Sequence, residues 1–414
     1  MNILFLNTSE KFGGAAIAAK RLLDALNKNQ IDATMLVRDK STNDPSVVSI
    51  RQSSKIAYKF IKERLTIWRS NLFRRKNLFA ISIANTGFDI THLPEFINAD
   101  IIHIHWINQG FISLHGLDKI IASGKPIVWT MHDMWPITGI CHHARTCEKY
   151  MDHCYNCPFT IRRKEKDLAY SVFKKKQKVY KNANISFVGC SLWLTDLARQ
   201  SALTKNKDIT SIPNPIDTDL FKPTNKDDAR VRLNLPKDIK LILFGAAKST
   251  DERKGINYFI EACKLLQKET SQKVGIVLYG KESEKIKYSF DYPTFSLGYI
   301  KNTKCLVDLY SAVDIFATPS LEENLPNTII ESMACGTPSI GFNIGGIPEI
   351  IDHLHNGYVA NYKSSIDFSK GLKWLLENNE NGELGIESRR KVQSTYSEKE
   401  IAHQYIALYN KIIK

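Results

Sequence analysis

No stretch of the 414 residues approaches the ~20 consecutive apolar residues of a membrane-spanning helix, and the opening MNILFLNTSEKFGGAA has neither a basic leader nor a long apolar centre. A spanning or exported chain is therefore not expected, and a cytoplasmic one is. Low-complexity tracts and repeats of solenoid length are also missing, which sets aside disorder and repeat arrays. So is any recognised nucleic-acid module or aromatic stacking platform, and no nucleic-acid partner is expected. Hydrophobic content of 43% with 24% charged residues is that of a globular protein. At 414 residues the chain exceeds what one hydrophobic core usually organises, so two domains are expected.

Negative charge is in short supply. The chain carries 57 Lys and Arg against 43 Asp and Glu, a formal charge of +14 with a pI near 9.2, which calls for an anionic partner such as a phosphorylated substrate or an anionic lipid. The excess is concentrated in the first half. Segment 51–76, RQSSKIAYKFIKERLTIWRSNLFRRK, holds nine Lys or Arg against one Glu. It interleaves them with Phe60, Ile61, Leu65, Ile67, Trp68, Leu72 and Phe73, the composition of an amphipathic helix lying on an anionic membrane surface. The other reading of the same pattern is a charged helix packed on its own domain.

Short apolar runs alternate with helical patterns, the sequence form of parallel sheets with crossover helices. NILFLN (2–7), DATMLV (32–37), DIIHIHW (100–106), PIVWTMH (126–132) and ISFVGCS (185–191) read as strands of a first Rossmann-like domain. SIPNPIDTDLFKP (211–223), with three prolines, reads as a linker. KLILFGA (240–246), VGIVLYG (274–280), TFSLGYI (294–300), DIFATPS (314–320) and PSIGF (338–342) form a second series. The fold class expected is α/β, two Rossmann-like domains facing each other across a cleft, with ligands beyond the carboxyl ends of the strands.

The loops after those strands carry the chemistry. In EENLPNTIIESMACGTPS (322–339) Glu323 follows a strand, and Pro326 stands where a helix begins, its fixed backbone angle suiting the first turn. Amides after Pro326 are then helix N-terminal donors suited to an anion, and Glu331 lies about one turn inside. Acids beside such amides make sense as acceptors of sugar hydroxyls next to a bound diphosphate. In the first domain Gly13 and Gly14 open a helix and permit close approach of backbone to a ligand. His132 ends a buried strand in WTMHDMWPITG (129–139), where Asp133 either orients it or caps the next turn. His103 and His105 alternate along a strand and read as structural.

The run PSLEENLPNTIIESMACGTPSIGFNIGGIPEII (319–351), together with SIPNPIDTDLFKP and the first-strand glycine loop, resembles the retaining glycosyltransferases of the GT-B fold, specifically family 4. The resemblance covers nearly the whole chain. It implies an acceptor-binding domain at 1–212, completed by a helix at 398–414 that crosses back, and a donor-binding domain at 213–397. It implies that Glu323 contacts the donor sugar, with Asn324, Leu325 and Asn327 nearby, that Glu331 takes the ribose hydroxyls and that His132 faces donor sugar and acceptor. FGAAKSTDERKGINYFIEA (244–262) resembles the family's loop ending in Lys-Gly, which makes Lys254 a cation for the diphosphate leaving group. This chain departs from the family in two places: Asn324-Leu325-Pro326 replaces the common Gly-Phe-Gly, and Ala246 stands where an arginine is usual, so that the second charge comes from Arg253, from Lys248 or from no residue. No catalytic metal or other cofactor is implied, and no DxD motif stands at a strand end. The implied partners are a UDP- or GDP-linked sugar and a lipid-linked or glycan acceptor in surface polysaccharide synthesis, as in colanic-acid-like transferases. A nucleotide-sugar-binding regulator or scaffold without turnover is the rival, and an epimerase on the same fold a further one.

Four of the eight cysteines, Cys190, Cys263, Cys305 and Cys335, are scattered and read as buried structural residues. Cys141, Cys147, Cys154 and Cys157 are spaced C-x5-C-x6-C-x2-C within seventeen residues, which suits a four-thiolate structural zinc site. The spacing also admits an iron-sulfur cluster, and His142, His143 or His153 in place of one sulfur. Two disulfides or four unligated thiols are the plainer alternatives.

Overall fold

The structure is a computed structural model that describes residues 1–50 and 53–413. The first two residues of the basic 51–76 segment, Arg51 and Gln52, and the last residue of the 398–414 helix, Lys414, lie outside the described residues. The chain divides into two compact units, one comprising 1–215 with 401–414 and the other 216–400.

The first unit is built on β1 (Asn2–Ser9), β2 (Asp32–Asp39), β3 (Val47–Ser49), β4 (Ile101–Ile104), β5 (Ile127–Met131), β6 (Ile185–Gly189) and β7 (Asp208–Ser211). They form one parallel sheet in the order β3-β2-β1-β4-β5-β6-β7. β1 is apolar almost throughout because both its faces are covered. Leu4 and Leu6 enter one core with Ile102, Ile104 and Trp129, while Ile3 and Phe5 enter the other with Leu22, Leu23 and Leu26. Those leucines come from helix α1 (Gly14–Lys28), which starts directly after Gly13 at φ 96°. The last helix, Glu398–Ile413, adds Ile401, Tyr405 and Tyr409 to that second core. Its Tyr409 hydroxyl lies 2.6 Å from Nδ1 of His103, and its Tyr405 hydroxyl 2.7 Å from Oγ1 of Thr130.

Helix α2 (Ser53–Ser70) is held to this unit by buried charge. Glu63 Oε1 accepts the Ile83 and Ala84 N–H groups at 2.8 and 3.0 Å, and Arg64 donates to the Leu78 and Ile81 carbonyls at 2.5 and 3.1 Å. Ile67 is fully buried on that face. Tyr58, Ile61 and Leu65, at helical spacing, are exposed on the other, and line one groove with Lys62, Arg69 and Arg162. Among the described residues no helix is long and apolar enough to cross a membrane.

The second unit repeats the plan with β8 (Lys240–Lys248), β9 (Val274–Lys281), β10 (Thr294–Ser296), β11 (Ile315–Thr318), β12 (Ser339–Phe342) and β13 (Gly357–Ala360). Its parallel order is β10-β9-β8-β11-β12-β13. Each sheet therefore reverses strand order once, between β1 and β4 and between β8 and β11. Crevices outside the carboxyl ends at such reversals are where open α/β sheets bind ligands. The expected α/β class is present in both units. β3, β7 and β13, three or four residues long, are not among the strands the sequence pattern marks.

Candidate functional site

In the second unit three loops, following β8, β11 and β12, are joined by backbone contacts at the strand-order reversal. The Leu321 N–H donates to the Arg253 carbonyl at 2.7 Å, and the Gly346 N–H to the Asn324 carbonyl at 2.6 Å. Two glycines permit this closeness. Gly255, at φ 69°, would place a Cβ 1.8 Å from the Pro319 oxygen, and Gly345, at φ 57°, would place one 2.0 Å from the Glu323 oxygen. Any side chain at either position separates the loops.

The joined loops bring Lys254 and Glu323 together. Lys254 ends the short 3-10 turn Glu252–Lys254, capped by Asp251, and its Nζ lies 2.6 Å from Oε2 of Glu323. The two side chains are 31% and 16% exposed, so the pair is partly open to a ligand. Arg253 is turned onto its own loop, its guanidinium bound to Asp251 at 2.7 and 3.2 Å. Lys248 stands 3.4 Å from Glu282.

The helix Asn327–Ala334 begins at Pro326, which occupies the N-cap rather than the first turn. Asn324 and Leu325 are buried just before it. Glu331, in the second turn, is 6% exposed and accepts a 3.0 Å hydrogen bond from the Tyr310 hydroxyl. Tyr279 stands 3.0 Å behind Tyr310. Its ring fills the space over Gly245, where a Cβ would come within 1.7 Å of it. Neither tyrosine was singled out in the sequence: Tyr310 lies in an amphipathic helix with no local mark, and only the glycine of FGAA hints at the ring above it.

In the first unit, loops after β1, β4 and β5 meet at the other reversal. The Thr8 N–H donates to the Trp106 carbonyl at 2.7 Å, and the Trp106 N–H to Oδ1 of Asn7 at 3.0 Å. Gly13 has nothing within 4 Å of where a Cβ would sit, so the space over that turn is unfilled. His132, partly exposed, has its Nε2 2.9 Å from Nδ1 of His105. His105 stacks on it and continues through His103, 4.3 Å away, to the last helix. Burial holds His132 neutral, at about 4, although the Asp133 charge opposes the shift. His103 and His105 are pushed well below the ordinary imidazole value, first by burial and then by neighbouring imidazoles.

Asp133 caps the next turn. Its Oδ1 accepts the Trp135 N–H at 2.8 Å, while Oδ2 accepts the Trp106 indole at 2.8 Å and meets Nδ1 of His142 at 2.7 Å. Burial raises this carboxyl, but His142, the Trp135 N–H and the neighbouring His143 together more than offset that, and the group sits at about 2. His142 is thereby engaged at both nitrogens, Nε2 lying 3.0 Å from the Ser82 hydroxyl. The thiols of Cys141, Cys147, Cys154 and Cys157 are all free and line one small cavity.

Each unit thus presents polar groups at the carboxyl ends of a parallel sheet. The second offers a cation, two acids and a helix N-terminus; the first offers a glycine-opened helix and a neutral imidazole. Residues 12–220 match the model for Glycosyltransferase Family 4, and residues 225–395 that for Glycosyl transferases group 1. N,N'-diacetylbacillosaminyl-diphospho-undecaprenol alpha-1,3-N-acetylgalactosaminyltransferase of Campylobacter jejuni is 29% identical over 184 residues, 44% of this chain and 47% of that protein. The matched region thus spans about half the length of that relative. D-inositol 3-phosphate glycosyltransferase of Corynebacterium glutamicum is 24% identical over 77% of this chain and 74% of its own. The sucrose-phosphate synthase of Thermosynechococcus elongatus superimposes with a TM-score of 0.66 at 20% identity, over 99% of this chain and 98% of its own, which shows the shared GT-B fold. With a family model spanning half its length, the chain belongs to glycosyltransferase family 4.

Proposed function

We propose that this protein is a retaining glycosyltransferase that moves a sugar from a nucleotide-diphosphate sugar to a lipid-linked or polysaccharide acceptor in surface polysaccharide synthesis. The observation that carries the reading is the Lys254–Glu323 pair, 2.6 Å apart at the strand-order reversal of the second unit. As the glycosidic bond breaks, the leaving nucleoside diphosphate gains negative charge, and a fixed cation at that point stabilises the transition state. Lys254 supplies that cation and the amides following Pro326 supply further donors to the phosphates. Glu323 accepts hydroxyl hydrogen bonds from the donor sugar. Glu331, held by Tyr310, does the same for the ribose. His132, neutral at physiological pH, bonds a substrate hydroxyl and is steadied by His105.

The first unit is assigned the acceptor and the second the nucleotide sugar. A lipid-linked acceptor would be met at a membrane, and the exposed Tyr58, Ile61 and Leu65 beside Lys62, Arg69 and Arg162 form an apolar and basic face suited to an anionic surface. This supports a peripheral position on the inner face of the cell membrane. The test is incubation with a panel of UDP- and GDP-sugars. Release of the nucleoside diphosphate from one of them, with a product keeping the donor's anomeric configuration by NMR, is expected. Binding without turnover for every donor and acceptor tried would favour a regulatory protein, and an inverted product would remove the retaining mechanism.

A further inference from the structure

Between the turn Trp135–Ile137 and the helix Leu168–Tyr180, the only regular element among the described residues is the 3-10 turn Lys149–Met151. A segment of that length inside a compact unit is unusual without a function or a tie. It is nevertheless well buried: Tyr150, Cys154, Cys157 and Phe159 all lie in the core. All four clustered cysteines face one cavity of about 20 Å3. Backbone bonds fix where each thiol starts. Cys141 bridges to Ile81, and its carbonyl accepts the Thr138 hydroxyl at 2.7 Å. The Cys147 N–H closes a turn on Ala144, and the Cys157 N–H donates to Asp167 at 2.7 Å. The Gly139 N–H already donates to the Cys154 sulfur at 3.2 Å.

A second feature is electrostatic. Lys176 is fully buried, and its ammonium donates to the Trp135 and Thr138 carbonyls at 2.5 and 3.0 Å while lying 3.4 Å from the centre of the Trp135 ring. No carboxylate is hydrogen-bonded to it among the described residues; burial pushes it down to about 7, against the pull of Cys154, Cys141 and Asp133. A buried cation with no hydrogen-bonded anion is costly. A divalent metal held by four thiolates carries a net negative charge and supplies that balance.

We propose that Cys141, Cys147, Cys154 and Cys157 hold a single structural zinc ion, with Lys176 as the buried countercharge. As they stand, no His, Cys, Asp or Glu group among the described residues is arranged to hold a metal. The step required is convergence of the four sulfurs onto the cavity they already line. Each zinc–sulfur bond forms as a thiol proton leaves for solvent, and no electron changes hands. Of the segment's histidines, His142 is committed to Asp133 and Ser82 and so stays out of the ligand set, and Nδ1 of His153 is engaged with Asp152. The closed four-ligand site has no place for substrate. Its effect is to fix Cys141 and hence His142, which holds Asp133 next to His132. The inference does not depend on the transferase reading.

Protein purified without a metal-affinity tag should contain about one zinc per chain by elemental analysis. The double variant Cys154→Ser with Cys157→Ser should contain almost none, and chelation should lower the melting temperature of the native protein but not of the variant. Should the double variant fail to fold, Cys147→Ser, at a half-buried thiol, gives the same reading through reduced zinc content. Cobalt(II) added to chelator-stripped protein should produce the visible bands of a tetrahedral thiolate site. Zinc-free protein with four reactive thiols, disulfide-linked peptides on non-reducing mapping, bound iron, or zinc retained in the double variant would each overturn the proposal.

Discussion

The buried imidazoles of the first unit make its stability depend on pH. His103 and His105 are 0% and 3% exposed and held neutral by burial. His103 sits between the Thr130 and Tyr409 hydroxyls, at 2.8 and 2.6 Å. In the unfolded chain both titrate near the ordinary value of about 6.5. Because the folded values are depressed, the unfolded state binds more protons as the solution is acidified. Their stabilising effect is therefore full above about pH 6.5 and is lost progressively below it. Between about pH 7.5 and about pH 5.5 each imidazole that stays neutral loses about 1.4 kcal/mol relative to its unfolded counterpart, about 3 kcal/mol for the two. His132, held at about 4, also stays neutral over this range and adds a loss of the same sign. Five of the six tryptophans, Trp68, Trp106, Trp129, Trp135 and Trp193, lie in the first unit, so urea unfolding followed by tryptophan fluorescence reports on it. The midpoint should fall steeply over this range. General acid effects are separated by His103→Gln, whose loss over the same interval should be smaller by about 1.4 kcal/mol. A variant with the wild-type pH slope, or a wild type equally stable at both pH values, would refute the reasoning.

Glu323→Gln should lower kcat/KM by about 2 to 4 kcal/mol of transition-state stabilisation with little change in melting temperature; near-normal turnover would remove the role. Glu331→Ala should mainly raise the Kd for the donor, and Tyr310→Phe should follow it in the same direction, measured by calorimetric titration. Lys254→Ala should weaken binding of the nucleoside diphosphate roughly ten- to a hundredfold whatever sugar it carries; a change confined to acceptor affinity would misplace it. Liposomes containing anionic lipid should sediment the protein in a salt-sensitive way, and Ile61→Ser with Leu65→Ser should reduce that binding without unfolding α2, whose anchoring residues Glu63, Arg64 and Ile67 lie on the opposite face.

Periodicity and punctuation carried most of the fold. Long buried strands such as β1 and β9 stand out because both faces are apolar, whereas β7 and β13 carry too few residues to rise above a turn-rich background. At the site, Glu323, Glu331 and Lys254 were legible because their loops have a recognisable order of residue types. What sequence could not supply was which groups meet. Nothing local says that Lys254 pairs with a residue sixty-nine positions away, that Glu331 rests on a phenol from a different helix, or that His105 leans on His132 rather than serving the core alone. Those partners are chosen by strand order and by glycines whose need appears only when another loop occupies the space above them. The basic segment was legible as a helix, but not which side faces out: buried Glu63 and Arg64 face inward, contrary to what their charge suggests.

The anchoring of the last helix also bears on how the molecule is made. Tyr405 and Tyr409 complete the core of a unit whose other residues precede position 216. On a ribosome emitting ~5–20 residues per second, residues 1–215 wait roughly ten to forty seconds before 401–414 follow them out. Through that interval the core that holds Ile3, Phe5, Leu22 and Leu26 lacks Ile401, Tyr405 and Tyr409, and the hydroxyl partners of Thr130 and His103 have not yet been made. The second unit, contiguous in the chain at 216–400, has all its parts first. The amino-terminal half is thus the last to be finished, and a fusion that strains the carboxyl terminus is felt in the sheet that begins at Asn2.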